Sequence, residues 1–550
     1  MPPPTRSYRS EWLLADCVAG ITLASYAVPV GLAYATLAGL APEVGIYGYI
    51  LGGLGYAALG SSRHLAIGPT SAVSLMVGAS IAPMAAGDPV RYAQVAALVA
   101  LLVAALAVVA WAFRLSTLTS FVSDTILVGF KAGAGLSIAM TQLPSALGVP
   151  GGGDHFFGRI AALAQQLGDT NLVVLGVALG ALVLLLLGER FLPGRPVALV
   201  VVALSIVATA ALHLDHHGVA TVGAIPPGLP HIGLPGIRPL DVEGVVPLAA
   251  ACLLLCYVEG VSAARAIAAR HGYDVDARQE LLALGGANLL AGLGHGYPVA
   301  GGLSQSAVNE KAGARSRLSL VVASITLGAC LVFFTGLLRN LPKAVLAAIV
   351  LVAVKGLIDL REMGRIRRVS RLEFRVATTA FVAVLLLGIL KGVLVAVVGS
   401  ILLLLHRAAF PHVAVLGRIP RTTRFSDVER HPDNERIPGV LIVRVEAALL
   451  YFNVEYVLRE VMRHVDGQPE PIRLVICDLS TSPYVDLAGT RMLTRLYDDL
   501  EARHVTLRLV EAHADVREVL RAEGVDARVG AISRRTSVED AIRAFEGAPL

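Results

Sequence analysis

Charge is scarce in this chain. Only 16% of its 550 residues are Asp, Glu, Lys or Arg, against 55% hydrophobic residues, and the mean hydropathy is +0.69. No water-soluble protein sustains that average over such a length, so most of the chain is built for lipid. Cysteine is scarce as well. The five cysteines, Cys17, Cys252, Cys256, Cys330 and Cys477, form no CxxC and no Cys/His ligand spacing. That argues against a disulfide framework and a zinc site, and Cys252 and Cys256 read as small buried hydrophobes. A nucleophile–base pair, a metal cluster and a phosphate loop are also missing, so the chain does not read as an enzyme and no cofactor is expected. The first apolar run outlasts the h-region of a signal peptide and lacks a cleavage signature followed by a soluble domain, so it reads as a membrane span. The net charge of +5 and pI near 9.0 do not mark a nucleic-acid binder, because Lys and Arg gather in short loops.

What is present is a series of apolar runs near the ~20 residues that cross a bilayer. They fall at 13–38, 43–60, 90–113, 119–142, 170–188, 196–213, 245–269, 277–293, 315–337, 343–358, 372–389 and 391–407. With two interrupted segments near 69–85 and 301–312, the expectation is about fourteen spans. Basic residues such as Arg63, Arg114, Arg270, Lys311, Arg315 and the Arg361–Arg375 cluster fall on one side. The positive-inside rule then places the N-terminus and the tail in the cytosol of a multi-pass protein of the inner (plasma) membrane. The Pro-, Gly- and His-rich loop over 213–241 separates two expected repeats, roughly 11–213 and 243–408, running in opposite directions through the bilayer. A stretch over 360–371 reads as an amphipathic helix lying on anionic headgroups. Gly48/Gly52, Gly129/Gly133 and Gly176/Gly180 are spaced for close helix packing. In the 213–241 loop, His213, Asp215, His216 and His217 are read as an exposed polar cluster rather than a metal site.

The two interruptions carry the functional signal. Ile67-Gly68-Pro69-Thr70-Ser71-Ala72-Val73 and the longer stretch from Gly296 to Val308 put Gly and Pro where a membrane helix should run on, and each restarts with Ser-Ala-Val. A half-helix beginning inside a membrane points free N–H groups and the positive end of its dipole at the bilayer centre. Thr70, Ser71 and Ala72 open the first, and Leu303, Ser304 and Gln305 the second. Their N–H groups, with the hydroxyls of Thr70 and Ser304, suit a small inorganic or carboxylate anion. Glu259 lies deep in an apolar span, where an ionised carboxylate costs about 2.5 kcal/mol or more, so it should face a cavity or carry a proton. Protonation would remove its repulsion of a bound anion, which makes it the candidate proton carrier. Lys131 and Asp124 are placed near the inner entrance, with Lys131 snorkelling.

The stretches from Ala27 to Leu40, Gly60 to Pro69, Gly129 to Gly133, Ala268 to Tyr273 with Gln279 to Leu281, and Ser304 to Ala314 resemble signatures of the SulP (sulfate permease) anion transporters. The resemblance implies a polytopic α-helical fold of two inverted seven-span repeats, core and gate domains moving against each other, and a homodimer. It makes Tyr34 a wall of the anion site and Glu259 the coupling residue. Two positions depart from the family's pattern: Val30 stands where members often carry Gln, and Gln305 where they often carry Arg. The site therefore relies more on backbone N–H groups, which loosens the assignment to sulfate.

The transport domain is expected over 1–409. From Phe410 to Leu550 the composition becomes that of a soluble domain alternating strand and helix, a small α/β unit that resembles the family's cytosolic STAS domain. In the related anti-sigma-factor antagonists a phosphorylated Ser precedes Gly at the turn matched by Asp486-Leu487-Ala488-Gly489; here that position is Ala488. The expectation is a secondary-active, proton-coupled transporter of a small anion (sulfate, bicarbonate or dicarboxylate), moving in an elevator-like way. The alternatives are an exchanger or channel, and a transport-inactive receptor signalling through the tail.

Overall fold

Chain segments without charge become helices here because a buried backbone must satisfy its own N–H and C=O groups. The computed structural model describes residues 8–547 except 86, 117–123, 154 and 193–195. The first half contains α1 (Leu13–Leu37), α2 (Pro42–Leu59), β1 (Ile67–Gly68), α3 (Ser71–Ala85), α4 (Pro89–Ala112), α5 (Asp124–Leu147), α6 (Phe156–Gln166), α7 (Leu172–Phe191) and α8 (Val197–Ala211). The second contains α9 (Pro239–His271), α10 (Ala277–Leu293), β2 (Ala300–Gly301), α11 (Leu303–Lys311), α12 (Leu318–Phe333), α13 (Thr335–Leu338), α14 (Lys343–Lys355), α15 (Leu360–Val369), α16 (Arg371–Leu387) and α17 (Ile389–Ala409). Among the described residues, six helices are long and apolar enough to cross a membrane. Each expected span nonetheless has its helix. The largest difference is in α9, which starts at Pro239 rather than 245; for α5, expected from 119, residues 119–123 lie outside the described residues.

Residues 1–400 form one compact unit and 401–550 another. In the first, α1, α2, α4, α9, α10 and α12 pack on one another, while α5, α7, α14 and α16 form a second group. Glycine permits the closest approaches. A Cβ on Gly45 of α2 would lie 1.9 Å from the Gly31 carbonyl oxygen of α1, and one on Gly129 of α5 would lie 2.0 Å from that of Ala377 in α16. Gly176 and Gly180 differ from expectation, since a Cβ on either meets no atom within 4 Å. The spacing was right for packing, but α7 turns that face away from this chain. Capping side chains start several helices: Asp88 for α4, Asn171 for α7, Asp276 for α10 and Ser370 for α16.

The second unit is a five-stranded sheet of order β4-β3-β5-β6-β7, with β5 (Val440–Val445), β6 (Leu474–Asp478) and β7 (Thr506–Val510) parallel. β3 (Val413–Arg418) and β4 (Phe425–Asp427) pair antiparallel at its edge and were not anticipated from the sequence. Alternate strand residues face opposite ways. Val413, Leu441 and Val443 pack with α18 (Val454–Asp466), α19 (Leu487–Glu501) and α20 (Ala514–Ala522), next to α21 (Asp526–Val529). Ala414, Ile442 and Ile476 pack with α22 (Val538–Glu546) on the other face.

Candidate functional site

The two interruptions meet. β1 and β2 pair antiparallel, Ile67 opposite Gly301 and Gly68 opposite Ala300, so two segments more than two hundred residues apart break at the same place. Gly68 is required there, since a Cβ would lie 2.1 Å from the Tyr49 ring. A short strand at this depth is tolerated because its backbone groups are satisfied by protein rather than lipid. Asn288 of α10 does part of this: its amide donates to the Val299 carbonyl (3.1 Å), and its carbonyl accepts from the Val299 N–H (3.0 Å).

A half-helix leaves each strand. In α3, Thr70 supplies the first intrahelical acceptor, to the Ser74 N–H at 2.9 Å. The Thr70 hydroxyl is buried and has no hydrogen-bond partner. Ser71 and Ala72 are buried behind it. Tyr34 of α1, also buried, meets the Ser71 hydroxyl. In α11 the first intrahelical bond runs from the Ser306 N–H to the Gly302 carbonyl at 3.0 Å, and no side chain caps the helix. Each start therefore leaves N–H groups without an intrahelical acceptor, at Ser71, Ala72 and Val73 and at Leu303, Ser304 and Gln305. Both ends carry partial positive charge.

Leu303 and Ser304 are exposed, and Ser304 lines a cavity of about 540 Å³ enclosed by α1, α7, α8, α11 and α14. Val30, Tyr26 and Thr22 continue its wall along α1, and Lys311, Lys355 and Glu189 stand farther along it. The structure brings Tyr34 together with the α3 start. It places Ser304, but not Thr70, on the cavity wall.

Gln305 takes a different part from the one its position suggested. Its amide donates to the carbonyls of Ala66 and Ala300, both at 3.0 Å, and its carbonyl accepts from the Tyr49 hydroxyl at 2.6 Å. Those three bonds occupy the side chain and tie the two breaks together, leaving only the backbone N–H for a ligand. Sequence reasoning missed two companions. The Ser306 hydroxyl accepts from the Ala66 N–H at 2.9 Å, and the Asn309 amide donates to the His64 carbonyl at 3.1 Å. The available signal was Gln305 and Asn309 at i, i+4 on one helix face, too polar for a lipid contact.

Glu259 sits half-buried in α9, without a hydrogen bond or ion pair among the described residues. Lys131 of α5 and Tyr34 are close enough to interact with it electrostatically. Lys131 is half-buried in α5; the side chain of Asp124 lies outside the described residues. In the long loop, His213, Asp215 and His216 approach within 4.8 Å, all exposed, and His217 is not part of that group. In the second unit Asp486 caps α19, accepting from Gly489 N–H at 2.8 Å.

The family model described as Sulfate permease family matches residues 13–380, and the STAS domain matches 431–541. The chain belongs to the sulfate permease family. It is 37% identical over 540 residues to a probable sulfate transporter of Mycobacterium tuberculosis (strain H37Rv), covering 98% of this chain and 96% of that one. It is 31% identical over 565 residues to the chloroplastic sulfate transporter 4.1 of Arabidopsis thaliana, covering 98% and 81%. Among solved structures, the murine Slc26a9 anion transporter in its inward-facing state superimposes with a TM-score of 0.88 at 23% identity, covering 98% of this chain and 93% of that one. The transmembrane domain of the cyanobacterial bicarbonate transporter BicA gives 0.62 at 23%, covering 72% and 98%. The fold is accordingly that of a helical membrane transporter with a C-terminal STAS domain. The sulfate permease family consists of anion transporters, not enzymes.

Proposed function

We propose that this sulfate permease homologue carries out proton-coupled uptake of a small anion, sulfate first, with the anion held between the starts of α3 and α11. The observation that carries the reading is the pairing of β1 with β2, which brings two uncapped helix N-termini together beside an unpaired carboxylate, Glu259. Tyr34, Thr70, Ser71, Ala72, Leu303, Ser304 and Gln305 form the anion site, Gln305 through its N–H alone. Sulfate leads because relatives 30–37% identical carry that name; bicarbonate and dicarboxylates complete the panel to be tested. With no full cation at the helix starts, binding stays weak enough for release.

The site lies where two helix groups meet, α3 and α11 in one and α14 in the other. Alternating access follows if the first group moves as a body past the second in an elevator-like way. The transport domain in this reading is 1–409, built of inverted repeats over 11–213 and 243–408. The STAS domain over 410–550 faces the cytoplasm of the plasma membrane, and the protein works as a homodimer. Protonation of Glu259 relieves its repulsion of the anion, so one proton accompanies each substrate inward.

The test is uptake of labelled sulfate, bicarbonate, dicarboxylates, chloride and nitrate into proteoliposomes, with and without an inward proton gradient. Sulfate accumulation against its gradient is expected only with the proton gradient, and Glu259→Gln should abolish accumulation while leaving exchange at equal pH. Full gradient-driven accumulation by Glu259→Gln would remove the coupling role. Uptake of no anion by folded protein would favour a receptor instead.

A further inference from the structure

The far end of α11 is held by a polar cluster that the transport reading leaves unused. Glu310, in the last turn of α11, accepts from Arg270 through both carboxylate oxygens, at 3.2 Å from Nε and 2.6 Å from Nη2. One of those oxygens also lies 2.9 Å from His271 Nε2. Arg270 and His271 end α9, the helix that carries Glu259 about three turns earlier. The His271 ring stacks on that of His64, centroids 4.3 Å apart and planes 22° from parallel. His64 belongs to the α2–β1 connection, and its carbonyl receives Asn309 of α11 at 3.1 Å. Three segments that position the site therefore converge here: α9, α11 and the strand lead-in.

The two imidazoles are not equivalent. His64 is 5% exposed, its Nδ1 lies 3.0 Å from the Tyr273 hydroxyl, and that hydroxyl lies 3.0 Å from the Ser62 hydroxyl. Burial first, and then the neighbouring His271, hold its pKa down at about 4, so it stays neutral through the physiological range. The His271 side chain is 38% exposed and that of Glu310 13%. Around His271 the charged and titratable groups are Glu310 from α11, Arg270 from its own helix, His64 and Arg63 from the connection, and Tyr273, over whose ring Arg63 sits at 5.4 Å. A neutral His64 lets His271 take a proton without a charged neighbour stacked on it, and only the protonated ring forms an ion pair with Glu310.

We propose that Glu310, clasped by Arg270 and His271, is the positioning residue that sets the tilt of α11, and that the His271 half of the clasp, a hydrogen bond to the neutral ring, is strengthened to an ion pair by one proton from the cytosolic side. Nine helical residues are a stiff rod of about 14 Å, so loosening one end displaces Ser304 at the other. The clasp rests on the transport reading only for its kinetic readout. When His271 is protonated, its charged contact ties α11 more firmly to α9 and the anion is held more tightly; when it is neutral, an Nε2–H still donates to Glu310 and the ion pair rests on Arg270 alone.

A double-mutant cycle tests this, using His271→Gln, Glu310→Gln and the pair in the full-length protein. Sulfate KM in proteoliposomes is measured with the cytosolic face at pH 6 and at pH 8, each variant referred to wild type at the same pH so that the Glu259 contribution cancels. At pH 6 each single change is expected to raise KM about threefold, with the pair no worse than Glu310→Gln alone. At pH 8 His271→Gln should cost less affinity than at pH 6, since the neutral ring and the Gln amide each offer only an uncharged donor, while Glu310→Gln still loses affinity. Arg270→Lys, which keeps a cation, should retain the pH response. An equal effect of His271→Gln at both pH values, or multiplying effects of the two changes at pH 6, would overturn the clasp. The same cycle read in thermal melting of the detergent-solubilised protein should show stronger coupling at pH 6 than at pH 8. That measurement needs no transport, so its failure is distinct from failure of the transport reading.

Discussion

The starts of α3 and α11 share Ser-Ala-Val, yet the triplet sits in different places. Ser71 is the first residue of α3, whereas Ser306 is the fourth of α11. The extra turn in α11 is Leu303-Ser304-Gln305, of which Ser304 lines the cavity together with Ala307 and Val308 of the triplet itself, whereas none of the described α3 residues lines it. Around α3 the tyrosines Tyr34 and Tyr297 meet the hydroxyls of Ser71 and Ser74, while the buried Thr70 hydroxyl has no partner among the described residues. Around α11 the side chains of Gln305 and Ser306 hold the two breaks together, and the Asn309 amide holds the His64 carbonyl before β1 while its own carbonyl oxygen has no partner among the described residues. One start offers an unfilled buried donor and the other offers access. The difference teaches that a near-repeat in sequence can divide one job: in the anion site proposed above, α11 would build and open the site and α3 would hold what enters.

The sharpest way to break that division is Gln305→Ala. The change strands the Ala66 and Ala300 carbonyls and the Tyr49 hydroxyl in a buried position. A cost of about 3 kcal/mol is expected, read as a lower melting temperature in detergent and reduced abundance in the membrane. A variant as stable as wild type would mean that the two breaks are held by something other than this amide. Thr70→Val should do the opposite. It replaces an unpartnered hydroxyl by a methyl of equal size, so stability should stay level or rise slightly. Anion affinity should fall about tenfold, the loss of one hydrogen bond to a charged ligand. If Thr70→Val melts early and transports normally, the roles of the two starts are reversed.

Much of this arrangement was legible in the sequence. Apolar length located the expected spans in order, though not α6 or the separate α13, and Gly and Pro at 68–69 and 296–302 located the breaks, because both depend on local chemistry. Strand β6 and helices α18 and α19 were legible for the same reason, as period-2 and 3.6 patterns. Partnership was not legible. That Gln305 turns toward Ala66 follows from the crossing of two segments far apart in the chain, and no local pattern encodes it. The electrostatic reach between Lys131 and Glu259 escaped likewise, since the two residues lie on different helices. Edge strand β4 was missed because it is only three residues long; shortness does not account for β3, which has six. Gly176 and Gly180 erred the other way, since spacing marks a surface able to pack without naming what packs on it.

The smallest effect belongs to Ser304→Ala, and it separates access from grip. The Ser304 hydroxyl lies on the wall of an open cavity, where water can replace whatever bond it makes to an anion. The backbone N–H groups at 303–305 remain after the change, and they carry most of the helix-end charge. Sulfate KM should therefore rise only about threefold, less than for Thr70→Val, whose site is closed to replacement water. The two variants combined should multiply if they bind the anion from separate helix ends, since neither hydroxyl touches the other. A loss at Ser304 larger than that at Thr70 would place the grip on the accessible helix start, and the division between α3 and α11 would have to be drawn the other way round.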